Sequence, residues 1–124
     1  MSERLVTHAE LQDTVVKALG WLGWEHLHVR RSIGKGRKWT TATSKVGWPD
    51  LFCWHPHHRR LFAIELKVPP DRLTHEQYAI LVSLDAAGVE TAVIEPDDLG
   101  ELGQLLDPRG PRHELRMVEA FAPR

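Results

Sequence analysis

Cysteine is nearly absent from this chain: Cys53 stands alone. An internal disulfide is therefore excluded, and so is a zinc site built from several thiolates. A reducing, intracellular setting is expected, and with it a cytoplasmic location. Long apolar runs are missing too, so no membrane span is expected. The opening residues, Met-Ser-Glu-Arg-Leu-Val-Thr-His, lack the apolar core of a secretion signal. Nor is there a large excess of either charge, since the formal net charge is −1. Acidic residues are, however, wholly missing from His26 to Pro49. That stretch carries Arg30, Arg31, Lys35, Arg37, Lys38 and Lys45. A basic strip on a near-neutral protein suits contact with nucleic-acid phosphates. A solvated loop is the competing reading.

What is present suffices for one domain over residues 1–124, with the tail 107–124 unassigned. The chain has 124 residues and is 42% hydrophobic, which is ordinary for a globular protein with one core. Thr7-His8-Ala9-Glu10 reads as a capping box, with Thr7 as N-cap and Glu10 reaching back to it. Leu11, Val15, Leu19 and Leu22 then recur at helical spacing, which predicts a helix from about His8 to Leu19. A strand over His26 to Arg31 follows, then a long loop over 32–47. Asp50 to Trp54 and Leu61 to Val68 read as two strands around the turn His-Pro-His-His-Arg-Arg. Thr74-His75-Glu76-Gln77 is a second capping box, opening a helix to Ala87. Val89 to Ile94 is a further strand, and Pro96 opens a short helix to about Leu106. Trp21, Trp24 and Trp48 are candidates for the core. His55, His57 and His58 are expected on a solvated turn.

The hairpin carries the chemistry. Centring its turn between His57 and His58 sets Asp50 directly across from Glu65, with Cβ atoms about 5 Å apart. Lys67, two residues on, leaves the same face, while Phe62, Ile64 and Leu66 point to the core. Two opposed carboxylates repel unless something lies between them. A hard divalent cation such as Mg²⁺ binds through one or two carboxylates and keeps water in its shell. Such an ion lowers the pKa of bound water and stabilises charge on a phosphate, so the pattern suits phosphodiester hydrolysis.

Gly47-Trp48-Pro49-Asp50 followed by Glu65-Leu66-Lys67 resembles the PD-(D/E)xK signature of restriction-endonuclease-like nucleases. The wider pattern, with Leu-Thr-His-Glu-Gln and Ala-Ala-Gly-Val-Glu-Thr-Ala-Val-Ile behind it, is similar to the VRR-NUC branch, which includes small stand-alone phage proteins. The resemblance covers about residues 8–106. It implies an α/β fold with a small mixed sheet flanked by helices, and a DNA nuclease dependent on Mg²⁺ or Mn²⁺. It implies that Asp50, Glu65 and the Leu66 carbonyl hold the metal, that Lys67 is catalytic, and that Gln77 lies near the site. Glu10 matches an acidic residue on the first helix that supports the metal in relatives; Gln12 is its rival. Capping explains Glu10 and Gln77 equally well. The resemblance further implies a homodimer, and a substrate such as a junction, flap or nick. A nucleic-acid-binding module with a degenerate nuclease fold is the alternative.

Overall fold

The computed structural model describes residues 6–29, 31–33, 39–41 and 47–115. Helix α1 spans His8–Trp21 and begins on the expected capping box: the Glu10 N–H donates to Thr7 Oγ1 at 3.1 Å, and the Thr7 N–H donates to Glu10 Oε1 at 3.0 Å. Leu11, Val15 and Leu19 form its buried stripe. Trp21 lies off that stripe and is 91% exposed, so it is not a core residue.

Four strands make the main sheet in the order β1-β4-β5-β6: β1 is Glu25–His28, β4 Leu51–His55, β5 Arg60–Leu66 and β6 Glu90–Ile94. The β4–β5 hairpin has the register its turn predicted, with Leu51 opposite Ile64 and His55 opposite Arg60. Helix α2, His75–Ala86, returns the chain so that β6 pairs parallel to β5. Its capping box uses Thr74 and Gln77. A 3-10 turn, Pro96–Glu101, leads into the short α3, Leu102–Leu105. The result is a mixed α/β layer structure, as the sequence led one to expect.

The structure departs from two further expectations. The first strand ends at His28, and Arg31–Ile33 belongs to a separate β2 that pairs antiparallel with β3, Trp39–Thr41. The supposed long loop thus contains part of a two-stranded ribbon. His55, expected in solvent, is 5% exposed. Its Nδ1 accepts from the His58 N–H at 3.3 Å, which leaves Nε2 to donate to the Leu22 carbonyl at 3.0 Å. Gly23, at φ +88°, makes room for that ring, because a Cβ there would lie 2.8 Å from His55 Nε2.

The core lies between the sheet and helices α1 and α3. It joins the α1 stripe to Leu51, Cys53, Phe62, Ile64, Leu66 and Ile94. Each Leu or Phe removed from water here contributes about 1.5–3 kcal/mol. Burial pushes the Cys53 thiol up to about 12, so it is inert packing and not a nucleophile.

Candidate active site

Asp50 sits one residue before β4, where the hairpin register continues to Glu65 on β5. Each acid accepts a backbone N–H from the facing segment of the motif. The Asp50 N–H donates to Glu65 Oε1 at 3.2 Å, and the Leu66 N–H donates to Asp50 Oδ2 at 2.9 Å. Val29, just past β1, donates its N–H to the Asp50 carbonyl at 3.1 Å. Asp50 is therefore fixed by both neighbouring segments of the sheet.

Glu65 is 2% exposed, which is costly for a carboxylate without a positive partner. Lys67 supplies one, its Nζ lying 3.5 Å from Glu65 Oε2. The backbone of Lys67 is tied by its N–H to the Ile94 carbonyl at 3.0 Å, which extends the β5–β6 pairing past the end of β5. Leu66 faces the other way and is buried in the core. One residue of the motif thus anchors the strand while those flanking it face the site.

Asp50, Glu65, Leu66, Lys67 and Gln77 line one small cleft of about 250 Å³. Five of the expected site residues are thereby brought together. Gln77 does so while also closing the α2 capping box. Glu10 turns back to Thr7 in its own box, and the α1 residue lining the cleft is His8. Its Nε2 is 3.6 Å from Asp50 Oδ2. Asp71, after the Pro69-Pro70 pair, lines the cleft as well. Neither His8 nor Asp71 was singled out from sequence. His8 was discoverable there, since it shares a helical stripe with Leu11 and Val15 and so must face the sheet. Nothing comparable marks Asp71.

Gly47 explains the start of the motif. Its φ is +92°, and a Cβ there would lie 2.6 Å from the Glu76 carbonyl carbon and 2.7 Å from the Gln77 nitrogen. Only glycine lets this backbone rest on the first turn of α2. Fully buried Pro49 then delivers Asp50 to the cleft. Of the expected phosphate-binding residues, Arg30, Lys35, Arg37, Lys38 and Lys45 lie outside the described residues, and Arg31 is described only as backbone in β2.

A mixed sheet bearing an Asp, a Glu and a Lys at one strand end is the class of arrangement that the VRR-NUC resemblance implied. The family model for the VRR-NUC domain matches residues 4–97, and the chain belongs to that nuclease-domain family. It is also 37% identical over 60 residues to the human (Homo sapiens) Fanconi-associated nuclease 1. That alignment takes in 48% of this chain and 6% of the relative, so the chain corresponds to a small part of the larger protein. No solved structure matches it.

Proposed function

We propose that this chain is a metal-dependent nuclease that hydrolyses phosphodiester bonds in DNA. One observation carries the proposal: Asp50 and Glu65 are clamped side by side in a polar cleft, with the Lys67 ammonium 3.5 Å from Glu65. The family and the nuclease relative support the same chemistry.

The donor set fits a hard divalent cation. Two carboxylates offer oxygen at one point of the sheet, and Mg²⁺ or Mn²⁺ needs no more than one or two carboxylates plus water. The resemblance adds the carbonyl oxygen of Leu66, a residue that lines the cleft. When bound, the ion supplies an acidified water and charge stabilisation on the phosphate. Asp50 and Glu65 then position the ion, and their hydrogen bonds to each other's strands hold that position rigid. Lys67 places a positive charge where the attacked phosphate gains negative charge, and its ammonium can orient the incoming water. Gln77 offers an amide at the cleft wall for orienting water or substrate. The basic segment 30–45 holds the nucleic-acid backbone, so binding weakens steeply with salt. Branched DNA (junction, flap or nick) is the proposed substrate form, and two copies of the chain supply two sites for paired cuts.

The test is cleavage of junction, flap, nicked and plain duplex DNA with Mg²⁺ or Mn²⁺. Lys67→Ala is expected to lower the rate by about 10²–10³. Full activity in that variant overturns the mechanism. The second reading, a binding module with a degenerate site, is favoured by one observation: among the described residues no three His, Cys, Asp or Glu side chains form a ready-made metal cage. DNA binding without cleavage of any member of that panel would establish it instead.

A further inference from the structure

We infer that His8 is a side-chain ligand of the metal ion at Asp50 and Glu65, making this a mixed nitrogen–oxygen site that prefers Mn²⁺ to Mg²⁺. The inference rests on the reading of the cleft as a metal site. His8 is the first residue of α1, and it lines the cleft. The distance of 3.6 Å from Nε2 to Asp50 Oδ2 is too long for a good hydrogen bond. His8, Asp50 and Glu65 therefore do not stand as a ready-made cage, but the distance exceeds the spacing of two neighbouring ligands on one ion by only about 0.6 Å. Metal–ligand bonds of about 2.1 Å at right angles put adjacent donor atoms about 3 Å apart. A shift of a few tenths of an ångström closes the gap, and a side chain that is 50% exposed has the freedom to make it.

The alternatives on the same helix are occupied or misdirected. The Glu10 carboxylate accepts the Thr7 N–H in the capping box. That box also fixes the first turn of α1, and so fixes where the His8 Cα stands. Two other imidazoles near the core are engaged elsewhere: His55 with Leu22 and His58 at the far end of β4, and His113 with the Leu105 carbonyl. His8 is thus the imidazole that lines the cleft among the described residues.

The ligand type sets the preference. Mg²⁺ takes oxygen donors and gives up water reluctantly. Of the two ions only Mn²⁺ belongs to the first-row transition series, whose members accept nitrogen donors, although it stands lowest in that series. One ring nitrogen in place of a third carboxylate therefore biases the same cleft toward Mn²⁺.

The experiment is Mn²⁺ titration by calorimetry together with pulsed electron paramagnetic resonance of the Mn²⁺-loaded protein, on wild type, His8→Ala, His8→Glu and Asp50→Asn. Wild type is expected to show ¹⁴N coupling to Mn²⁺. His8→Ala is expected to bind Mn²⁺ about tenfold more weakly and to lose that coupling. His8→Glu restores a ligand without nitrogen: it binds Mn²⁺ without ¹⁴N coupling, and its Mn²⁺/Mg²⁺ affinity ratio falls about tenfold. Mn²⁺ binding by wild type without ¹⁴N coupling, or coupling that survives in His8→Ala, overturns the role of His8 and leaves the metal site standing. Wild type that takes up no Mn²⁺, like Asp50→Asn, overturns the metal site itself and His8 with it.

Discussion

Glu65 on β5 and Glu90 on β6 are each 2% exposed, yet their surroundings differ in kind. Glu90 faces the Arg60 guanidinium at the start of β5. Arg60 Nε donates to Glu90 Oε2 at 2.7 Å, and Nη2 donates to Oε1. The remaining donors go to backbone carbonyls: Nη1 to Pro108 at 2.8 Å and Gly110 at 2.9 Å, and Nη2 to Pro111 at 3.0 Å. All five guanidinium hydrogens are thereby satisfied. Glu90 also accepts the His113 N–H at 2.9 Å. Burial alone raises the Glu90 carboxyl, but the Arg60 hydrogen bonds, the His113 N–H and the charges of Arg60 and Arg112 outweigh it and hold it below the usual range. Hydrogen bonding to Glu90 likewise raises the Arg60 guanidinium.

Glu65, at the other end of β5, accepts the Asp50 N–H, shares a cleft with the Asp50 side chain and has a lysine at 3.5 Å instead. The same strand thus has one end saturated for stability and the other arranged for a task. A buried acid with a forked, fully bonded partner is structural. A buried acid set beside a like charge, in a cleft, is a functional candidate.

The largest expected effect separates the two ends outright. Asp50→Asn should reduce cleavage by about 10³ while leaving metal-free stability unchanged or raised by up to about 1 kcal/mol, because it relieves like-charge repulsion. Kinetics and urea unfolding on one preparation check both halves. Glu90→Gln should do the reverse. It leaves the buried Arg60 charge without its counter-charge and should cost about 3–5 kcal/mol in urea unfolding, with the cleavage rate of the folded protein retained.

The same variant tests the acid limb. Because the folded Glu90 carboxyl is depressed, its contribution is fully present above the unfolded value of about 4.3. It is lost as pH falls through the lower folded value. Wild type should therefore lose stability on acidification below about pH 4, and Glu90→Gln should show a shallower slope there. Gly47→Ala lies between the two ends in kind, since it is a packing change that reaches the site. It should cost about 1–3 kcal/mol of stability from backbone strain, and should slow cleavage by shifting Asp50. The smallest effect is expected at Thr91, buried on β6 with no hydrogen-bond partner for its Oγ1 among the described residues. Thr91→Val should be neutral or stabilise by about 1 kcal/mol in thermal unfolding, and a clear loss would reveal a partner for the hydroxyl.

The two ends also differ in how far they could be read from sequence. The site end is local. Eight residues on either side of one turn fix the Asp50–Glu65 register, and strand alternation alone places Lys67 on the Glu65 side and Leu66 in the core. The capping boxes at Thr7 and Thr74 are legible for the same reason, being four-residue patterns. The clasp end is not local. Arg60 and Glu90 are separated by a helix, and the carbonyls of Pro108, Gly110 and Pro111 have no side-chain signature. The burial of His55 depends on space made by Gly23, which no pattern around the turn reveals. Strands β2 and β3 were missed because three-residue strands in a Gly-, Ser- and Lys-rich segment show no alternation. His8 is legible only through the helical stripe it shares with Leu11 and Val15, because the acidic residue type expected at the site falls on Glu10, two positions on.

The order of the clasp along the chain has a consequence for biosynthesis. Synthesis runs at roughly 5–20 residues per second, and a domain generally folds as one unit. The hairpin that pairs Asp50 with Glu65 is complete long before residues 108–113 leave the ribosome. Until they do, Arg60 lacks three of its acceptors and Glu90 lacks the His113 N–H. A nascent chain that has released both motif strands but not residues 108–113 therefore still lacks the clasp at the opposite end of the sheet.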